Sequence, residues 1–285
     1  MNRSDFRTLE RLRVRWVEVD LQKVVFNGHY LMYFDIAIAG YWRASAMPYA
    51  QTMEHLAGDL FVRKATVEYL GSARYDDLLD IGVRCARIGT SSVLFSGAAF
   101  LQDRLLATCE LVYVFTDAHA PTSQPVPQSL RDALLAYEAG EAMVEVRVGS
   151  WDEQCAPARE IRREVFIEEQ GIPADMEWDD ADSQSVHAVA FNRFGFALAT
   201  GRLLVDGPQV ARIGRMATRQ AVRGSGIARG VLDALMEVAK RRGDTEVLLR
   251  AQLSAQPFYA RAGFLPRGPV FDEAGIAHIE MTRPL

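Results

Sequence analysis

The sequence of 285 residues predicts an α+β protein made of two domains, residues 1–140 and 141–285. Two patterns lead to this fold class. In the first half, one strongly apolar helical stretch is followed by alternating strand patterns with little helix between them. In the second half, strands and helices follow one another irregularly, as in a mixed α/β layer. A proline-rich segment, Phe115–Pro127, is the linker-like stretch that precedes the boundary.

Composition limits the classes of function. The net charge of -5 argues against a general nucleic-acid binder. The three cysteines are widely spaced and form no Cys-x-x-Cys pair, so we expect a cytoplasmic protein and no metal site. The start of the chain has no apolar core of a signal peptide. The longest apolar stretch, Tyr30–Trp42, contains Asp35 and is too short to span a membrane, so no membrane partner is expected.

The first half opens with a strand and a buried helix. Leu12, Val14 and Trp16 alternate with arginines, which predicts a strand running to Asp20. After the Asn27-Gly28 turn, residues 29–46 are apolar on nearly every side, so this helix must be enclosed by other structure. Four further segments alternate like strands, which indicates an antiparallel sheet wrapped around the helix: 61–69, 80–88, 92–101 and 105–115.

Three motifs in this half resemble one enzyme family. Arg13–Asp20, Val24–Tyr30 and Tyr33–Ala37 are similar to the opening of hotdog-fold acyl-CoA thioesterases of the 4-hydroxybenzoyl-CoA (YbgC and FadM) type. The resemblance implies that Asp20 is the catalytic carboxylate, acting as nucleophile or general base. It also implies a homo-oligomer, a dimer or tetramer through this domain. The backbone implied to polarise the thioester carbonyl is that of Gly28, His29 and Tyr30.

The residues alone leave other interpretations open. Asp20 at a strand end is also typical of a turn or a helix cap. The chain has Lys23 where the family commonly has glycine, and Asn27 where histidine is frequent. A second catalytic acid, present in some hotdog lineages, would fall near Glu54–Asp59, but the spacing is poor.

The second half is organised around Ala217–Met236, a glycine-bearing turn that leads into an amphipathic helix; a strand-like run, Val210–Met216, precedes it. The free amides and the dipole of a helix start favour an anion, and Gly224 and Gly226 allow close backbone approach. Three arginines lie where the dipole disfavours cations: Arg219, Arg223 and Arg229. A bound polyanion would offset this cost; the alternative is an ordinary turn with solvated arginines.

Other segments of this half have less specific patterns. Residues 143–148 predict a strand and residues 158–170 a helix. The run Asp175–Asp182 is markedly acidic. Such a run is usually a solvated loop, and the alternative is a surface that faces a cationic amine.

A second resemblance covers about Val144 to the C-terminus. Arg223–Ala228 fits the Arg/Gln-x-x-Gly-x-Gly/Ala signature of GCN5-related N-acetyltransferases, and Pro257–Phe264 is similar to their second conserved patch. Arg162–Gln170 and Phe271–Met281 resemble the ElaA branch. Four motifs in the right order make this the more specific of the two resemblances.

The acetyltransferase resemblance assigns acetyl-CoA as the substrate, with no metal. It implies that Tyr259 protonates the departing CoA thiolate, although a buried tyrosine can also be a packing residue. His278 is carried as a catalytic candidate, while Glu168, Glu169, His187 or water could also accept the amine proton. The residues implied to contact CoA are Met216, Ala217, Thr218, Arg223, Gly224, Ser225, Gly226, Ile227 and Ala228.

Together the two halves predict a bifunctional enzyme that acts on small molecules. Residues 1–140 would hydrolyse an acyl-CoA thioester, and residues 141–285 would transfer acetyl from acetyl-CoA to an amine. The alternative is that only one half is catalytic and the other binds acyl-CoA or assembles the oligomer.

Overall fold

A computed structural model describes residues 1–120 and 122–285; Pro121, part of the predicted linker, lies outside the described residues. The described chain divides into two compact units, Met1–Met143 and Val144–Leu285. Each unit has its own sheet and its own core.

The N-terminal unit is built on a five-stranded antiparallel sheet. Its strand order is β1-β3-β4-β5-β2, so the long strand β2 lies at an edge. The tight turn that joins β4 to β5 is the predicted hairpin. The strands are β1 Leu9–Arg13, β2 Gly58–Tyr69, β3 Leu78–Ile88, β4 Ser92–Leu101 and β5 Arg104–Asp117.

The apolar helix of this unit packs against the sheet, as its composition predicts. Helix α1, Asn27–Ala44, buries Tyr33, Phe34 and Trp42. Gly97 in β4 makes the approach possible, because a Cβ there would lie 2.7 Å from the Phe34 ring. Two shorter helices complete the unit: α2 Tyr49–His55 and α3 Gln128–Glu138.

The predicted first strand is wrong beyond Arg13. The chain instead curls into a single 3-10 turn at Trp16–Glu18. The cause is the buried Glu18 carboxylate, which accepts hydrogen bonds from the Arg15 amide at 2.7 Å and from the Tyr33 hydroxyl at 2.8 Å. These bonds close the turn locally and replace the bonds that a strand would make.

The C-terminal unit is built on a seven-stranded sheet of order β11-β12-β10-β9-β8-β7-β6. β9 and β10 are parallel, and the other neighbours are antiparallel. The strands are β6 Val144–Gly149, β7 Val186–Asn192, β8 Ala197–Gly207, β9 Val210–Thr218, β10 Glu246–Gln252, β11 Leu265–Glu273 and β12 Ile276–Pro284.

Four helices accompany this sheet: α4 Trp151–Arg162, α5 Ala174–Glu177, α6 Ile227–Arg242 and α7 Gln256–Arg261. The predicted start of the first of them, at residue 158, is too late. Ser150 and Glu153 form a capping box, with the Glu153 carboxylate accepting the Ser150 amide at 2.8 Å, so α4 begins seven residues earlier. After α4 the chain continues as a π-helix, Arg163–Glu169.

No helix within residues 1–120 and 122–285 has both the length and the apolar character needed to cross a membrane.

The Lys23 turn predicts a stabilising substitution. Lys23 has a φ of 63°, a left-handed conformation that costs a residue with a Cβ roughly 1–2 kcal/mol, whereas glycine pays ~0.5–1 kcal/mol in backbone entropy. Lys23→Gly should therefore raise the free energy of unfolding by about 0.5–1 kcal/mol. Calorimetry of the full chain measures this, with Lys23→Ala as the matched control. An equal gain from alanine would contradict the backbone explanation.

Candidate functional sites

Asp20 lies in the turn between Val19 and Val25, which pair with each other in an isolated bridge. Its Oδ1 atom accepts the amide of Gln22 at 2.8 Å, so one carboxylate oxygen holds the turn, as the alternative interpretation expected. Its Oδ2 atom makes no hydrogen bond with the described residues. One oxygen is therefore structural, and the other is available for chemistry.

Asp20 and His29 line the same cavity, of about 750 Å³. The Phe26 ring meets His29 edge-on, with centroids 5.9 Å apart. Around the two polar groups are apolar side chains that are each more than half exposed: Trp16, Val17, Leu21, Phe26 and Tyr75. Such an apolar surface around a carboxylate suits an apolar acyl group.

The start of α1 is open next to this cavity. No side chain caps it, and the amides of Asn27 and Gly28 donate to no acceptor among the described residues. The His29 amide is already engaged with the Phe26 carbonyl at 2.9 Å. The Tyr30 ring is buried, and its hydroxyl accepts the Ala73 amide at 3.3 Å. Among the predicted carbonyl-polarising amides, that of His29 is therefore occupied, whereas that of Gly28 is free.

Sequence reasoning missed Glu18, which positions the Asp20 turn. Burial alone would raise the pKa of Glu18, but hydrogen bonds from Arg15 and Tyr33 hold it below its usual range. The available signal was the spacing of Arg15 and Glu18, which form an ion pair at 2.6 Å. Asp59, considered as a second acid, accepts the Tyr49 hydroxyl at 2.5 Å and does not line the Asp20 cavity.

The glycine loop of the C-terminal unit has the geometry of an anion site. Gly224 and Gly226 have φ values of 85° and 87°, which only glycine adopts readily. Neither would bring a Cβ within 4 Å of another atom, so the space in front of the loop is open. The loop and the start of α6 present four amides that donate to no acceptor among the described residues: Gly224, Gly226, Ile227 and Ala228.

The three arginines near the start of α6 do not need a bound polyanion to offset their charge. Arg219 pairs with Glu164 at 3.1 Å. Arg223 makes a two-pronged bond to Glu169, at 2.7 and 2.5 Å, and this bond lowers the pKa of the carboxyl. Arg229 pairs with Asp233 at 2.8 Å. Because each has a carboxylate partner, the anion site rests on backbone amides.

The predicted CoA-contacting residues line one cavity of about 690 Å³, with the exception of Ser225. Ser225 donates its hydroxyl to the Val222 carbonyl at 2.6 Å and closes the loop. At Arg215, with a φ of 52°, β9 is kinked, and its pairing with β10 ends at Ile213. No strand therefore pairs with Met216–Thr218 on that side, and an extended ligand can pair there, beside the Arg223 guanidinium that donates to the Thr218 carbonyl.

Tyr259 lies where two cavities meet. The second cavity, of about 330 Å³, shares Gln170, Met216, Gln252, Ala255 and Tyr259 with the first. Burial raises the pKa of the Tyr259 phenol well above its usual value, so the group keeps its proton at neutral pH. No hydrogen bond from the described residues contributes to this shift, so the proton of the hydroxyl is available to a ligand.

His278 lines the second cavity together with Tyr259. Its Nδ1 atom lies 2.8 Å from the Ile276 carbonyl. A carbonyl can only accept, so Nδ1 carries the proton and Nε2 of the neutral ring is an acceptor. The other candidate bases are less well placed: Glu169 is paired with Arg223, and neither Glu168 nor the buried His187 lines either cavity.

Two of the five acidic side chains of this run are exposed, as in a solvated loop, but the other three bind arginines. Glu177 and Asp182 are 2% and 4% exposed, and both bind the fully buried Arg162, at 2.5 and 2.8 Å. Arg202 binds Asp182 at 2.7 Å and Asp179 at 2.5 Å. Three carboxylates thus neutralise arginines inside the unit, and the network ties this segment to the sheet.

Comparison with known proteins finds one family domain in each unit. A model described as the Thioesterase superfamily matches residues 22–108, and a model described as Acetyltransferase (GNAT) domain matches residues 163–285. The chain joins a hotdog thioesterase domain to a GNAT domain, and through its C-terminal half it belongs to the GNAT acetyltransferase family.

Relatives of the C-terminal half include two bacterial proteins. An uncharacterised N-acetyltransferase of Bacillus subtilis, YjcF, is 30% identical over 46% of this chain and 94% of its own length. Protein ElaA of Escherichia coli is 31% identical over 44% of this chain and 83% of its own length. A solved thioesterase of Thermus thermophilus, complexed with coenzyme A and Zn, is 23% identical, covers 47% of this chain and 97% of its own, and has a TM-score of 0.41.

Proposed function

We propose that the chain is a bifunctional enzyme of CoA thioesters, with acyl-CoA hydrolysis in residues 1–140 and acetyl transfer to an amine in residues 141–285. The observation that carries the proposal is the position of Tyr259 at the junction of two cavities. One cavity contains the open glycine loop, and the other is large enough for a small acceptor. Transfer between two substrates needs such a shared boundary.

In the acetyl transfer, the amides of Gly224–Ala228 bind the pyrophosphate of acetyl-CoA, and the free edge of Met216–Thr218 binds its pantetheine arm. The amine attacks the thioester carbonyl and loses a proton to Nε2 of His278. The C–S bond then breaks, and the Tyr259 hydroxyl donates its proton to the leaving thiolate. Arg223 completes the loop through its bond to the Thr218 carbonyl, at 2.9 Å.

In the hydrolysis, the free Oδ2 of Asp20 removes a proton from a water that attacks the thioester carbonyl; the C–S bond then breaks, and the proton passes to the leaving CoA thiolate. In the nucleophilic alternative, Oδ2 itself attacks the carbonyl and expels the thiolate, and water then hydrolyses the mixed anhydride, giving the acid and restoring Asp20. The Gly28 amide stabilises the negative charge that develops on the carbonyl oxygen, and His29 and Tyr30 hold the start of α1 in place. The apolar side chains around Asp20 receive the acyl group.

A homo-oligomer through the hotdog domain is part of the proposal. β2 lies at a sheet edge and is twelve residues long, a length that natural proteins seldom leave unpaired. Phe61, Val62 and Tyr69 on this strand are each about half exposed or more. Pairing of β2 with a second copy would cover them. We also assign the enzyme to the cytoplasm, since Cys85, Cys109 and Cys155 are free thiols.

In the second candidate function, the N-terminal unit is not catalytic and serves as an acyl-CoA-binding or assembly domain. It is favoured by the bond between Asp20 Oδ1 and the Gln22 amide, which gives this carboxylate a structural role. Saturable acyl-CoA binding without thiol release would identify it.

Asp20→Asn should lower kcat for acyl-CoA hydrolysis by about 10²–10⁴-fold, because the amide can neither attack nor accept a proton. Asparagine keeps the Oδ1 acceptor for Gln22, so the turn should remain folded. Thiol release from a panel of acyl-CoA chain lengths measures the effect. Asp103→Asn, in an exposed hairpin turn, is the control. Unchanged hydrolysis in Asp20→Asn would remove Asp20 from the mechanism.

Tyr259→Phe should lower amine-dependent CoA release by about 10²–10⁴-fold, since the ring stays packed while the proton donor is lost. No hydrogen bond within the described protein is removed, so the melting temperature should stay the same. The measurement is kcat with acetyl-CoA and saturating amine. The acid role is wrong if kcat is unaffected.

A further inference from the structure

The acceptor cavity, the smaller cavity next to Tyr259, is lined by arginines whose N–H groups have few protein acceptors. Arg250 and Arg212 line it, and neither guanidinium makes a hydrogen bond with the described residues. Arg250 has Glu273 at 3.9 Å and lies over the Phe271 ring at 5.8 Å from its centroid. Arg212 has Asp206 at 3.4 Å, a residue that does not line the cavity. An arginine can donate five hydrogen bonds, so two such side chains leave most of their capacity open.

Two further arginines of the same cavity are incompletely satisfied. Arg202 is 5% exposed, yet its Nε has no hydrogen-bond partner among the described residues. The Nε of Arg215 is likewise buried without a hydrogen bond, although Glu177 lies 3.3 Å from it. Both Nε atoms are enclosed in the protein, and they show that the carboxylates of this cavity do not satisfy all of its arginine donors.

The acceptor groups of the cavity, in contrast, are largely occupied. Glu177 is held by Arg162 and Arg215, and Asp179 by Arg202 and Arg215. Only Glu273, at the rim and about half exposed, has no close partner. An ammonium group would therefore find few free carboxylate oxygens here, whereas a carboxylate or phosphate would find several free N–H groups.

Strand register puts these donors beside the reacting groups. Gln252 lies opposite His278, and Arg250 is two residues earlier on the same face of β10, about 7 Å along the strand. Arg212 of β9 lies opposite Leu248, on that same face. Gly214 of β9, which also lines the cavity, leaves open space beside these arginines, since a Cβ there would meet nothing within 4 Å. One small molecule can thus reach both His278 and Arg250.

We propose that the amine acceptor carries an anionic oxygen group, a carboxylate or a phosphate, which Arg250 and Arg212 bind while its amine lies between His278 and Tyr259. This inference rests on the proposed acetyl transfer. The arginines also assist chemically, because nearby positive charge lowers the pKa of the acceptor amine and favours its nucleophilic, neutral form. A diamine without an anionic group would be repelled.

The test compares matched amines on the full-length protein. Lysine is paired with its decarboxylated counterpart cadaverine, and phosphoethanolamine with ethanolamine, so that the two pairs distinguish carboxylate from phosphate. The anionic member of at least one pair should have a kcat/KM about tenfold or more above its partner. Arg250→Gln should raise KM for that amine about tenfold or more and leave KM for acetyl-CoA unchanged. Arg241→Gln, an exposed arginine of α6, is the matched control and should change neither.

Equal or faster acetylation of cadaverine and ethanolamine would overturn the inference, as would an Arg250→Gln enzyme that keeps the preference. Calorimetric titration of the same amines in the presence of CoA separates this result from failure of the proposed function. If no amine is acetylated, acetyl transfer is wrong. In that case, binding of the anionic amines to wild type but not to Arg250→Gln still supports the anion site, and its absence rejects it.

Discussion

Both candidate sites depend on backbone amides that lie at the start of a helix and have no protein acceptor. At α6 the chain forms them by placing Gly224 and Gly226 in left-handed conformations, so that successive N–H groups point outward. At α1 they are the amides of Asn27 and Gly28. A helix start has unpaired donors in any protein, but here no side chain caps either one. The donors remain available to the oxygens of a CoA thioester.

In the C-terminal unit, the ion network around Arg162 determines which charged groups remain free beside the acceptor cavity. The guanidinium lies over the ring of Trp178 at 4.9 Å, and that of Trp151 at 5.5 Å, while two carboxylates bind its edges. A buried pair of this kind adds little net stability, since desolvation offsets most of the attraction. The network occupies the carboxylates next to the acceptor cavity. The cavity therefore has more free arginine N–H groups than free carboxylate oxygens.

Much of this organisation could be predicted from the sequence. Elements with strong periodicity or a clear turn signal, such as α1, α6 and the β4–β5 hairpin, lie where the patterns indicate. The failures have local causes. The first strand ends early because Glu18 makes bonds that alternation cannot reveal, and α4 starts early because of a capping box at Ser150 and Glu153, whose spacing was readable.

The candidate sites, too, could be predicted from the sequence only in part. Glycine positions and motif order locate the loop at Gly224–Ala228, because backbone geometry is encoded by a few neighbouring residues. Charge partners are not encoded locally. Arg223 and Glu169 are far apart in sequence, so only the fold reveals that the arginine is already paired. The same holds for the acceptor cavity, whose arginines come from separate strands.

In the proposed enzyme, one chain contains two independent CoA sites, of which one depends on the glycine loop. Calorimetric titration of the full-length protein with CoA tests it most directly. We expect two molecules of CoA per wild-type chain and one for Gly226→Ala, whose Cβ forces the loop out of its left-handed conformation. Gly207→Ala, in open space with no such constraint, should keep two. A single site in the wild type, or two undiminished sites in Gly226→Ala, would contradict it.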